Sequence, residues 1–120
     1  MFAELDDLNM IDFSMTDTQH IVIMGKMFSG CKSLTTLDLK PFYTKNVVCM
    51  DSMFKGCEKL SDIDLSNFDT SNVKDMSRMF AYCTNLECID ICSSRQMGVG
   101  NSWNLFEDCD RLEKIVCRME

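Results

Sequence analysis

The chain has 120 residues, with 12 Lys and Arg against 19 Asp and Glu, which gives a formal net charge of −7. This acidic balance argues against a nucleic-acid-binding protein, because contacts to phosphates need a basic groove. The longest apolar runs, residues 21–24 and 47–50, have four residues each, against the roughly 20 that a membrane-spanning helix needs. We therefore expect neither nucleic-acid binding nor membrane insertion.

A 26-residue period runs along the chain. The pair Met-Phe begins at residues 1, 27, 53 and 79, and Leu105-Phe106 takes the same place in a fifth unit. Self-similarity at a fixed period is typical of a solenoid, in which each coil stacks on its neighbours. We predict a single domain over residues 1–120, with units starting at residues 1, 27, 53, 79 and 105. Because the repeat begins at the first residue, either the chain is a fragment of a longer array, which we favour, or its first unit caps itself with acidic residues such as Glu4, Asp6 and Asp7.

Each unit contains one predicted strand. In the third unit Ile63 and Leu65 alternate with Asp62 and Asp64, which is the period-two pattern of a short strand with one buried face. A polar stretch, residues 66–72, follows as the corner of the coil.

A helix is the next predicted element. Apolar residues after the corner are spaced at three and four positions, which places them on one helical face: Val73, Met76, Met79, Phe80 and Cys83. Ser71 or Asn72 could cap its start. The sequence thus predicts an α/β solenoid of about five coils, each with a short parallel strand and a short helix.

The layout and the spacing Leu60-x-x-Ile63-x-Leu65 are those of a leucine-rich repeat. Residues 53–80 resemble the repeat of BspA-like surface proteins, the Mycoplasma-lipoprotein type of leucine-rich repeat. The second and fourth units depart from that pattern in their corners, at residues 41–45 and 94–98. The resemblance implies a cell-surface or secreted protein that binds a protein ligand or a host matrix protein, and it carries over no catalytic residue. The first residues do not resemble a signal peptide, since Glu4, Asp6 and Asp7 are acidic, so an intracellular location stays open.

The eight cysteines do not suggest disulfides. Cys31, Cys57, Cys83 and Cys109 share one repeat position, where packed helices would hold them ~8–10 Å apart, too far for a bond that needs Cα atoms within about 7 Å. We expect them to be small buried side chains. No Cys-x-x-Cys pair is present, and His20, the single histidine, has no partner at ligand spacing. We predict no cofactor and no metal bound through sulfur.

One carboxylate per strand forms a column, made of Asp12, Asp38, Asp64 and Asp90. Neighbouring strands lie ~4.8 Å apart, so adjacent carboxylates repel by ~1 kcal/mol in water-like surroundings. Hydrogen bonds from nearby hydroxyls, a cation such as Ca²⁺ bound between coils, or a basic ligand along the column could each offset that repulsion. As a hypothesis, the column and its neighbours form a concave ligand-binding face: Asp12, Asp38, Asp64, Asp90, Thr36, Asp62 and Ser66.

These observations favour a noncatalytic protein-interaction or adhesion module. His20 lies in a corner where later units carry Asn46 and Asn72, which suggests a helix cap rather than a catalytic base, so we do not expect an enzyme. The alternatives are an assembly element that forms homo-oligomers by stacking uncapped ends, and a cation-binding solenoid using the Asp column. The aromatic side chains left outside the repeat core are Tyr43, Tyr82 and Trp103. Met24, Met50 and Met76 share one repeat position, and by that repetition we expect them in the core.

Overall fold

Three short parallel strands lie one above another along one side of the chain. A computed structural model describes residues 17–90 and 104–116. Within them β1 spans Asp62–Asp64, β2 spans Cys88–Asp90 and β3 spans Lys114–Val116, in the sheet order β1-β2-β3. The register pairs Ile63 with Ile89 and Ile89 with Ile115. Each strand therefore belongs to a successive coil.

The described residues contain no helix. The predicted α/β leucine-rich-repeat solenoid, with a helix in each coil, is therefore wrong for the part of the chain that can be described. Residues 77–82, within the predicted helix of the third unit, form turns instead. The second unit differs further, because residues 34–39 include no strand.

Residues with a left-handed backbone explain why no helix forms. A right-handed helix cannot include a residue with positive φ without breaking. Two repeat positions have such a φ in every described coil. The first position holds Lys26 (φ 60°), Ser52 (55°), Arg78 (56°) and Asn104 (53°). The second, four residues later, holds Gly30 (75°), Gly56 (75°), Tyr82 (61°) and Asp108 (55°).

We call residues 24–31, 50–57, 76–83 and 104–109 the turn row. Its backbone amides alternate between two kinds of partner. Lys26 and Phe28 donate to the carbonyls of Asp51 and Met53 in the next coil, at 2.8 and 2.9 Å, whereas Ser29 donates within its own coil to Lys26 at 3.1 Å. Equivalent bonds join residues 50–56 to residues 75–81. The turn row thus joins neighbouring coils as a sheet would, without regular strands.

Identical side chains stack inside the turn row. The rings of Phe28, Phe54, Phe80 and Phe106 form a column, with centroids 5.5, 5.5 and 5.7 Å apart and planes within 11° of parallel. The first three rings are fully buried. Each pair adds stacking energy to the burial of a large apolar surface. The predicted core position of Met24, Met50 and Met76 is confirmed, because all three are buried.

The cysteines of the turn row form a second buried column. Cys31, Cys57 and Cys83 are completely buried, as expected, and Cys109 is half-buried. Their thiols do more than fill space, because the Sγ atoms of Cys57 and Cys83 donate to the carbonyls of Phe28 and Phe54 at 3.2 and 3.0 Å. Burial raises the pKa of the Cys83 thiol to about 12 and also raises the pKa of the Cys57 thiol. The cysteines within the described residues are free thiols.

Candidate functional site

The predicted binding residues lie on the outward side of the sheet and of the coil before it. We call the side chains of Thr36, Asp38, Asp62, Asp64, Cys88 and Asp90 the strand face. Asp38, Asp62 and Asp64 are exposed, and Asp90 is half-buried. The register places Asp64 directly beside Asp90. Of the other predicted residues, Thr36 is exposed and Ser66 is half-buried, while Asp12 lies outside the described residues.

Two of these carboxylates also shape the backbone. Oδ1 of Asp38 accepts a hydrogen bond from the amide of Lys40 at 3.0 Å, and Oδ1 of Asp64 accepts one from the amide of Ser66 at 2.8 Å. A carboxylate that bonds the amide two residues on turns the chain at that point. Asp38 and Asp64 therefore mark where their coils leave the strand side, and Ser66 takes part through its backbone amide.

Two further carboxylates flank the strand face. Glu87 and Glu113 each precede a strand, β2 and β3, and both are exposed. The amide of Glu113 donates to the carbonyl of Glu87 at 3.1 Å, which holds the two residues in neighbouring coils. The sequence patterns did not point to this pair. Their common place in the repeat, one residue before the strand, was the signal that could have identified them.

The corners of the coils are joined by amide side chains. Nδ2 of Asn46 donates to the carbonyl of Gln19 at 3.2 Å, and Nδ2 of Asn72 donates to the carbonyl of Lys45 at 2.7 Å. Asn72 and His20 were expected as helix caps, which is wrong because the described residues have no helix to cap. His20 occupies the same repeat position and is exposed.

An open groove of about 780 Å³ lies beside the second corner. Tyr43, one of its lining residues, is 44% exposed. Its lining carries two cations, Lys40 and Lys45, and two carboxylates, Asp17 and Asp69, which balance in charge. Of the other aromatic candidates, Tyr82 is 39% exposed, and Trp103 lies outside the described residues.

Cys49, Asp51 and Asp75 form a small polar cluster that the sequence analysis did not identify. One potential ligand atom from each lies within 4.8 Å of the others. The Cys49 thiol donates to Oδ1 of Asp51 at 2.8 Å, and its pKa is raised by burial and by this carboxylate. The amide of Ser77 occupies Oδ1 of Asp75 at 2.9 Å. A structural zinc site takes four ligands and this cluster offers three, so we assign it to hydrogen bonding within the coils.

Within residues 17–90 and 104–116, no helix is long and apolar enough to cross a membrane.

Comparison with known proteins identifies one family. Residues 1–117 match the family described as a Mycoplasma protein of unknown function, DUF285. No curated protein and no solved structure matches the chain.

Proposed function

The chain belongs to the DUF285 family, and on that premise we propose that it is a noncatalytic protein-binding module whose strand face receives a basic segment of its partner. The exposure of Asp38, Asp62 and Asp64 on one side of the coils carries this proposal. The resemblance of residues 53–80 to BspA-like repeats supports a cell-surface or secreted location and an adhesive role toward another protein or a host matrix protein.

Charge and spacing determine what such a face could bind. Asp64 and Asp90 lie on adjacent strands, ~4.8 Å apart, and Glu87 and Glu113 extend the negative charge beside them. Carboxylates at this spacing repel one another, and a ligand with Lys or Arg side chains relieves that repulsion. Complementary charge of this kind accelerates association and selects partners more than it raises affinity.

The test uses a 12-residue Lys/Arg peptide as the probe and its Glu-substituted counterpart as the negative ligand. Asp38→Asn combined with Asp64→Asn removes two charges while keeping an oxygen that can accept the turn hydrogen bonds. We expect this double variant to bind the basic peptide about fivefold more weakly at low salt, as measured by fluorescence anisotropy. Added salt should reduce the difference.

The matched control is Asp17→Asn combined with Asp69→Asn. These carboxylates also accept backbone amides two residues on, from Gln19 at 3.0 Å and Ser71 at 2.9 Å, but they line the corner groove. Equal weakening by both double variants would mean that only net charge matters, and the strand face would not be the binding site.

Two other outcomes would replace the proposal. Light scattering on the wild-type chain should give a mass that does not change with concentration or with calcium. A mass that grows with concentration would favour end-to-end assembly. A calcium-dependent change that is lost in Asp38→Asn with Asp64→Asn would favour cation binding by the Asp column.

A further inference from the structure

A basic pocket on the turn row stands apart from the acidic strand face. It encloses about 430 Å³, and its lining includes Lys26, Lys55 and Arg78. We propose that this pocket binds a tetrahedral oxyanion, the phosphate or sulfate group of a larger ligand. This inference is independent of the function proposed for the strand face.

The repeat brings two of the cations together. Lys26, Ser52 and Arg78 occupy the same left-handed position in three successive coils. The coils are joined there by backbone hydrogen bonds, from Lys26 to Asp51 at 2.8 Å and from Ser52 to Ser77 at 2.9 Å. At ~4.8 Å per coil, the Cα atoms of Lys26 and Arg78 lie about 10 Å apart. Both side chains are long enough to meet over Ser52, which is 8% exposed and also lines the pocket.

Lys55 completes the set from the side. Its Nζ atom lies 5.8 Å from the centre of the Tyr82 ring, where the negative face of the ring attracts an ammonium group. Ser77, whose side chain carries a hydroxyl, is also a lining residue. Ammonium, guanidinium and hydroxyl groups all donate hydrogen bonds. Such a donor-rich lining matches an oxyanion, whose oxygens only accept.

Three carboxylates lie near these cations. Asp51 lines the pocket, and carboxylate oxygens of Asp51 and Asp75 lie within 4.8 Å of each other. Asp51 accepts a hydrogen bond from the Cys49 thiol at 2.8 Å. Glu107 lies 3.8 Å from Nε of Arg78, which is longer than a hydrogen bond. The guanidinium has five donors, so Arg78 can contact Glu107 and an anion together. The lining of the pocket carries three cations and one carboxylate, Asp51, in a chain whose formal charge is −7.

The experiment is an NMR titration of the ¹⁵N-labelled chain with inorganic phosphate and with inorganic sulfate, at constant ionic strength set with chloride. We expect saturable shifts centred on the amides of Lys26, Ser52 and Arg78 with either oxyanion and no such shifts with chloride. Shifts that do not saturate, or that spread evenly over all lysines, would overturn the proposal.

Variants provide a second criterion. Lys26→Gln and Arg78→Gln should each weaken phosphate binding about five- to tenfold, and Glu107→Gln should strengthen it. Lys59→Gln is the control, since Lys59 is exposed and lies outside the pocket. Equal loss in the control would show that only net charge matters. Asp38→Asn with Asp64→Asn should leave phosphate binding unchanged.

A phosphoserine peptide and a sulfated disaccharide then distinguish the two sources of the group. Tighter binding of either one than of the free anion would identify the ligand class. If neither binds better than inorganic phosphate, the assignment to a larger ligand is wrong.

Discussion

Backbone hydrogen bonds join neighbouring coils in both the turn row and the strand face. The two regions differ in the exposure of their repeated side chains. In the turn row the repeated residues are Phe, Met and Cys, and those of the middle coils are completely buried. On the strand face the repeated residue is Asp, exposed at positions 38 and 64. The contrast indicates that the buried side chains of the turn row hold the coils together. The strand face depends on its turn hydrogen bonds, so the type of side chain exposed there can vary.

The largest expected effect is in the turn row. Phe54 stacks on both Phe28 and Phe80, so Phe54→Ala should lower the free energy of unfolding by about 3–5 kcal/mol, measured by urea denaturation. Tyr82→Ala is the control, because Tyr82 is 39% exposed and should cost much less. Similar losses in the two variants would contradict the division between a buried column and an exposed surface.

The second-largest expected effect is a loss of stability at high pH, which also arises in the turn row. The Cys57 and Cys83 thiols have raised pKa values in the folded state, about 12 for Cys83, whereas an unfolded thiol ionises near 8.5. Their contribution is therefore complete below about pH 8.5 and declines at higher pH, until the folded thiols ionise as well. Each thiol should reduce stability by up to about 1.4 kcal/mol per pH unit.

Urea denaturation from pH 7.5 to 10 measures this slope. Cys83→Ala should reduce the dependence of the unfolding free energy on pH by the contribution of one thiol. An unchanged slope in Cys83→Ala would mean that the Cys83 thiol does not ionise on unfolding in this range.

A smaller effect tests the absence of a helix, because a helix and a left-handed residue predict stability changes of opposite sign for the same substitution. Gly56 has a φ of 75°, and a Cβ there would meet only Gly30 atoms at an ordinary 3.7 Å. Gly56→Ala should therefore destabilise the fold by about 1 kcal/mol through the left-handed backbone alone. In a helix the same change would stabilise by about 1 kcal/mol. Thermal unfolding distinguishes these directions, and a higher melting temperature would contradict the turn row.

The smallest expected effects are on the strand face. Asp64→Ala removes the acceptor for the Ser66 amide and should cost about 0.5–1 kcal/mol. Asp64→Asn keeps an acceptor oxygen and should cost less. If Asn were as harmful as Ala in urea denaturation, the charge rather than the turn would be what Asp64 contributes.

Sequence patterns predicted the buried columns better than they predicted the local backbone. The burial of Met24, Met50 and Met76 followed from repetition alone, because equivalent positions share an environment. The helix was wrong because steps of three and four place Val73, Met76 and Phe80 on one side in a series of turns as well as in a helix. Gly30 and Gly56 at the same repeat position were the available signal. Lys26 and Arg78 gave none, since these residues rarely adopt a positive φ.

For the candidate site, alternation along the strand placed Asp62 and Asp64 outward. It did not show which groups would donate hydrogen bonds to these carboxylates, because every residue type except proline offers the same backbone amide. The basic pocket was also missed. Its residues are distant along the chain, and the left-handed position that brings Lys26 and Arg78 together was not recognised.

The hydrogen bonds between coils also limit how a chain of this kind can change in length. In the turn row each even-numbered amide from Met24 to Gly30 bonds to a carbonyl 25 residues ahead, and the next coil offers the same contacts again. Duplication or loss of one whole 26-residue unit would keep every ring, thiol and carbonyl in step. An insertion of any other length would have to bulge outward at a corner. Arrays built this way therefore gain or lose length by whole coils.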